Sequence, residues 1–211
     1  MTKQDLITKI IALEWKMFHE VPNVGGQAAC QNNPKTFEIM RRSQALSWSE
    51  KTLTSYWQDL VEAENQKRNL MTEKYARMMA STFPEEYIKI MHHLPPLDPE
   101  VPALIEKIIK IILIWEEELV RQYPYVCQRG RPIHSSEDKE FVTSLETYLR
   151  GELATFSLRT LKLYLEDLLR YSSENKNMSK IILEETVKNY GFNSLEEANE
   201  KIKSVIQKQQ G

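Results

Sequence analysis

No proline or glycine interrupts the chain from Trp48 to Phe83, WSEKTLTSYWQDLVEAENQKRNLMTEKYARMMASTF, and a segment of that length without either breaker is most readily satisfied as helix. Its ends agree with that reading. Ser49 can cap the first turn, Glu50 lies early where a carboxylate favours the helix dipole, and Pro84 blocks smooth continuation. Apolar residues recur at Leu53, Tyr56, Trp57, Leu60 and Val61, then at Leu70, Met71, Tyr75, Met78 and Met79, which is helical spacing in two blocks. Between them, Glu62 and the run from Glu64 to Asn69 form a polar waist. It is a solvated mid-section, a break between two helices, or a set of polar groups facing a cavity. A continuous helix over 49–82 would be about 50 Å long, more than a domain of this size usually presents as a straight rod, so a kink is expected near Asn65 to Asn69.

The remaining chain extends the helical pattern. Six glycines in 211 residues, beside many Leu, Ile, Glu and Lys, make a composition poor in turns and alternating strands. The expected fold is all-α: a single-domain multi-helix bundle over 1–211, with 177–211 as a candidate C-terminal helical appendage. A net charge of -2 gives no global attraction to nucleic acid or an anionic membrane, so anion binding requires a local patch. The most apolar run, Ile108 to Trp115, is too short to span a bilayer and meets three glutamates at once. The N-terminus lacks the apolar core and small-residue cleavage site of a signal peptide. A soluble, cytoplasmic protein is the expectation. Cys30 and Cys127 lie far apart without metal or redox spacing, and Cys30 reads as a small hydrophobe more readily than as a nucleophile without a base.

Several charged residues contradict their surroundings. In the first helix, expected over Lys3 to His19, Glu14 has Ile10, Ile11, Met17 and Phe18 within one turn on either side, so a regular helix turns its carboxylate to the apolar face. Such a group needs a cation, a metal or a raised pKa, unless it snorkels to water from an edge. Lys74 has the same problem among Leu70, Met71 and Met78, and Glu152 lies near Tyr148, Leu149 and Phe156. Glu146 and Arg150 stand one turn apart. Glu38 is spaced to pair with Arg41 and Arg42 as surface decoration. Helices are further expected over Ala103 to Gln122, apolar nearly all round as in a central bundle helix, and over Glu137 to Leu153, Thr155 to Tyr171, Ser179 to Tyr190 and Ser194 to Gln209. The last opens on a Ser194/Glu197 capping box.

Two loops have unusual composition. VPNVGGQAACQNNPKTF carries Gly25, Gly26 and Gln31, which suit close approach by a ligand, although an Ω-like linker between helices is the more ordinary use of such a loop. In the second, Arg129 and Arg131 flank Gly130 before Pro132, an arrangement suited to phosphate or carboxylate, or equally a solvated basic loop.

The strings EWKMF, GGQAACQ, FEIMRRSQ, SYWQDL, NLMTEKYARMM, RGRPI and TYLRGEL together resemble an uncharacterised bacterial family, domain-of-unknown-function family 4125, over nearly the whole chain. The resemblance supplies no catalytic residues. It does imply a helical partner role beside a nucleotidyltransferase-like protein, since some relatives are associated with such a domain.

Two classes of function fit. One is a binding or adaptor module in which the odd charges are structural pairs and the loops contact a protein partner. The other is an internal polar pocket for a small anionic ligand, possible in an enzyme, lined by Glu14, Lys74, Glu146, Arg150 and Glu152 with Gly25, Gly26, Gln31, Arg129 and Arg131 at its mouth. A di-metal carboxylate bundle is disfavoured because no Glu-x-x-His occurs, so no metal is expected. An Arg-x4-His ribonuclease signature at Arg129 and His134 is interrupted by Pro132. Cofactor, catalytic residues and oligomeric state are not encoded in any pattern we recognise.

Overall fold

The computed structural model describes residues 2–210 except Val24, Gly25, Gln27 and Arg129, and of Gln210 only the backbone. Two of the candidate residues, Gly25 and Arg129, therefore lie outside the described residues. The described chain is all-α: α1 (Lys3–His19), α2 (Pro34–Ser47), α3 (Glu50–Asn65), α4 (Leu70–Thr82), α5 (Pro84–Ile90), α6 (Val101–Gln122), α7 (Pro124–Cys127), α8 (Leu145–Leu153), α9 (Leu158–Ser173), α10 (Met178–Asn189) and α11 (Leu195–Gln210).

The glycine-free stretch is two helices rather than one kinked rod. α3 ends where Lys67 takes a left-handed φ of 57° and Arg68 N donates to Ala63 O at 2.8 Å, a helix-terminating arrangement. The chain restarts as α4 when the Asn69 side chain accepts from Thr72 N at 2.9 Å. The same amide donates to Met17 O at 2.7 Å and pins the break to the end of α1. The polar waist thus supplies caps.

Other ends follow their caps. Thr2 and Asp5 form a reciprocal capping box at α1, and Asn33 caps α2 ahead of Pro34. At α11, Glu197 N donates to Ser194 Oγ at 3.1 Å, while the Glu197 carboxylate reaches one residue further back, to Asn193 N at 2.8 Å. The expected helix from Glu137 is shorter, because Lys139 and Val142 exchange backbone hydrogen bonds around Phe141, itself at φ 64°, and Ser144 then caps Thr147 N at 3.1 Å. Nor is α6 buried all round. Ile105, Ile108, Ile109, Ile112 and Trp115 face the core, whereas Ile114 is 56% exposed.

The main core joins α1, α3, α6, α8 and α9 through buried residues that include Ile7, Leu53, Leu60, Ile108, Leu153 and Leu161. A smaller cluster of Leu119, Tyr123, Val187, Leu195 and Ala198 holds α11 to α6 and α10. α10 takes part in both, with Met178 in the first and Val187 in the second. α2 packs between α1 and α10, and α8 lies on α4. That last approach is so close that a Cβ at Gly151 would stand 2.8 Å from both Lys74 O and Met78 Cγ, so only glycine lets the two helices meet there.

α3 and α9 run antiparallel along a polar seam. Asp167 accepts from Ser49 N (2.8 Å) and Thr52 Oγ1 (2.7 Å), Ser55 and Thr160 share a hydrogen bond of 2.8 Å, and Asp59 accepts from Ser157 N at 3.0 Å. Hydroxyls, carboxylates and backbone N–H groups satisfy one another there, so the two helices pack closely along a polar seam beside the apolar core they share.

Candidate functional site

Glu14, Lys74 and Glu152 lie together in a buried charge cluster shared by five helices. Its centre is a residue the pattern did not select. Arg41 of α2 donates through Nε to Glu14 Oε2 at 2.8 Å and through Nη2 to Glu14 Oε1, and its Nη1 reaches Glu152 Oε1 at 2.7 Å and Gln44 Oε1 at 2.8 Å. Tyr56 of α3 donates to Glu14 Oε1 at 2.7 Å. Lys74 of α4 donates to Glu152 Oε1 of α8 at 3.3 Å. Two carboxylates and two cations balance, and Arg41 is the most exposed of the four at 8%.

The pairings follow local spacing only in part. Glu14 meets neither Lys74 nor Arg150 directly. Arg41 does not decorate the surface with Glu38: Arg42 takes Glu38 at 3.0 Å, and its neighbour, rotated about 100° around the helix, points inward. Arg150 and Glu146 remain together at 3.0 Å but stand apart from the buried cluster, with Arg150 turned to Glu106 of α6. Gln31 is fully buried and fully occupied. Its amide donates to Phe18 O (2.8 Å) and Val21 O (3.0 Å), and its carbonyl accepts from Ala28 N (2.8 Å) and Asn23 Nδ2 (2.7 Å), so it ties the loop to the end of α1. Gly26 adopts a left-handed φ of 98° in that loop. Cys30 is exposed.

Arg131 caps the cluster from outside. It donates to Thr143 O at 3.0 Å and its guanidinium carbon lies 4.8 Å from the centre of the Tyr148 ring, while the Lys74 ammonium lies 3.6 Å from the same ring. An aromatic face offers each cation an attraction that burial does not weaken.

The electrostatics follow from crowding in a dry place. Burial alone would push the Glu152 carboxyl up, but Lys74 and Arg41 more than reverse this and hold it at about 2. Lys74 is moved down, since burial outweighs its one carboxylate partner and Arg41 repels it. Arg41 is held well above its ordinary value: burial opposes its charge, and Glu14 and Glu152 overcome that opposition. Burial, with Glu14 beside it, drives the Tyr56 phenol well up. Tyr56 therefore stays a hydrogen-bond donor. The charges satisfy one another and bind α1, α2, α3, α4 and α8 into one unit.

Two cavities lie elsewhere. An open groove of about 870 Å³ between α3 and α9 is lined by Glu50, Lys51, Thr54, Leu158, Arg159, Lys162 and Leu163. A smaller one, of about 260 Å³, lies where the α3–α4 break, the loop before α6 and the turn before α9 converge. Neither is lined by Glu14, Arg41, Lys74 or Glu152. Among the described residues no group of three or more His, Cys, Asp or Glu side chains is placed to hold a metal ion. No helix among them is long and apolar enough to cross a membrane.

Residues 4–200 match the family described as Protein of unknown function (DUF4125). The chain belongs to the DUF4125 family. No curated protein and no solved structure matches it. The DUF4125 match spans α1 to the first turns of α11, so it takes in every helix of the buried cluster and both cavities.

Nothing in local spacing could have shown that Arg41 reaches Glu14. The available signal was weaker: Ser43, Ala45 and Ser47 are small residues on the same helix, and all three are buried where α2 is enclosed by its neighbours. Tyr56 was legible as an apolar position, not as a donor.

Proposed function

We propose that this DUF4125 protein is a non-catalytic binding module, and that its partner is an acidic amphipathic helix of another protein, seated in the groove between α3 and α9. The observation that carries this reading is the groove itself. Lys51, Arg159 and Lys162 rim it against a single acid, Glu50, and Leu158 and Leu163 form an apolar floor between two antiparallel helices. Among the described residues no close ion pair engages Lys51 or Arg159, although the charge of Arg159 acts on the Asp59 carboxylate, while Lys162 meets Glu100 at 3.0 Å. A helix lying along such a groove buries its apolar face and meets the rim with its carboxylates. The same chemistry admits a smaller anionic ligand at the rim, but the apolar floor then goes unused. The buried charge cluster supports a non-catalytic role, because its ionised groups are spent on one another and shielded from solvent.

A fluorescently labelled, designed Glu/Leu amphipathic helix tests the reading by anisotropy against the full chain. The expected result is saturable binding that weakens with salt and falls about tenfold or more in the Lys51→Glu/Arg159→Glu variant. Absence of binding, or equal binding by the charge-reversed variant, would overturn it. Tighter binding of a single-stranded oligonucleotide to the same residues would overturn it in favour of nucleic acid.

A further inference from the structure

We infer that the chain associates with itself head to tail: the acidic, apolar knob formed by α5 and the Phe141 turn of one copy seats in the basic groove between α3 and α9 of a second. This rests on the reading of that groove given above and supplies its regulation, because a second copy then competes with the partner helix for one seat.

Phe141 and Ile88 are the two most exposed large apolar side chains among the described residues, at 83% and 67%. They belong to one region. The Phe141 ring stands edge-on to that of Phe83 with 5.3 Å between centroids, and Phe83 is the cap residue of α5, which carries Ile88. α5 packs on α4 yet contains no buried residue, so it adds little to the core. The turn at Phe141 is costly in its backbone as well. Lys139 and Val142 exchange hydrogen bonds of 3.0 and 2.9 Å across Glu140 and Phe141, and Phe141 takes the left-handed φ of 64° that such a turn normally gives to glycine or asparagine. A bulky ring held in that conformation and turned to water gains the fold little beyond its edge on Phe83. What it meets outside the chain explains both costs.

Charge selects the occupant. Glu85, Glu86, Glu137 and Glu140 are exposed in this region against Lys89 and Lys139, and no close ion pair engages Glu85 or Glu140 among the described residues. The groove has the opposite balance, with Lys51, Arg159 and Lys162 against Glu50, over Leu158 and Leu163. Dimensions agree too. The lining runs over 50–54 of α3 and 158–163 of α9, about 6–8 Å of each helix, which a two-turn element such as α5, about 10 Å long, covers in full. No residue of α5 or of the Phe141 turn lines the groove of its own chain, so the contact is between copies. A head-to-tail contact leaves a free knob at one end and a free groove at the other, and growth continues past the dimer.

Sedimentation velocity of the full chain from micromolar to millimolar concentration tests this. The weight-average mass should rise with concentration past that of a dimer, and less steeply as salt is raised. Phe141→Gly and Ile88→Asp on one surface, and Lys51→Glu/Arg159→Glu on the other, should each weaken association about tenfold or more. Phe141→Gly separates docking from folding, because glycine suits the turn: the variant should melt close to the parent and still associate less. Mixing Phe141→Gly/Ile88→Asp with Lys51→Glu/Arg159→Glu brings together one intact knob and one intact groove, and should give a one-to-one dimer that grows no further. The proposal is overturned if the parent stays monomeric, if either set of variants associates as the parent does, or if the mixture forms no dimer. Should the parent stay monomeric while the designed Glu/Leu helix binds, self-association alone fails; should the helix also fail to bind, the groove reading fails with it.

Discussion

Two clusters built from the same residue types lie on either side of α8 and have opposite characters. On one side Glu152 meets Arg41 and Lys74 in a place where no ionised group is more than 8% exposed. On the other, Arg150 meets Glu146 and Glu106 with its side chain 41% exposed and that of Glu106 59% exposed. Charge identity and spacing do not distinguish them. Burial does. In the first cluster each group has lost its water and depends on its partners; in the second each can exchange a partner for water at little cost. The same four letters of sequence, Arg150 to Leu153, hold a residue of each kind.

The comparison breaks most sharply at Glu152. Glu152→Ala leaves Lys74 without its carboxylate and Arg41 with only Glu14, and should cost about 3–5 kcal/mol in urea melts. Glu14→Ala should fall in the same range, because it strips Arg41 of two hydrogen bonds and Tyr56 of its acceptor. Glu14→Gln keeps the shape and an acceptor for Tyr56 and should cost less. If all three variants melt within about 0.5 kcal/mol of the parent, as surface substitutions do, the cluster is not the structural centre described here.

Acid sharpens the same contrast. Glu152 is held at about 2 against an ordinary 4.5, so its folded pKa is depressed. Its contribution is fully present above about pH 4.5 and is lost as pH falls towards 2, a difference of roughly 3 kcal/mol. Lys74 has the same sign of shift with the opposite consequence at neutral pH: its charged form is disfavoured by burial, and Glu152 offsets that cost. Urea melts across the acid range should therefore show a steep loss for the parent and a shallower one for Glu152→Gln. Parallel acid limbs would mean that Glu152 does not carry the dependence.

What could be read in advance follows this division. Periodicity locates a helix face, so Glu14, Lys74 and Glu152 stood out as charges where apolar residues belong, and the all-α fold followed from spacing and caps. Pairing across helices depends on tertiary distance, which spacing does not contain. Arg41 therefore looked like a surface partner for Glu38. The α3/α9 seam is hidden for a related reason: nothing in the spacing of Thr52, Ser55 and Thr160 shows that a second helix supplies their hydrogen bonds. Gln31 read as a ligand group because an amide that serves a ligand and one that ties a loop have the same composition.

The smallest effect belongs to the outer cluster. Arg150→Ala removes two ion pairs, but Glu146 still accepts from Ser135 N at 2.8 Å and Glu106 is hydrated, so neither carboxylate is stranded. The guanidinium itself is moved down by partial burial, which marks a site that does little to favour its charge. Discounted for solvent screening, the expected cost is under about 0.5 kcal/mol and shrinks as salt is raised. Equilibrium melts at low and high salt check both statements, and Glu152→Ala, screened far less because its partners are buried, provides the contrast. A large, salt-insensitive loss at Arg150 would place it with the buried charges and remove the distinction between the two sides of α8.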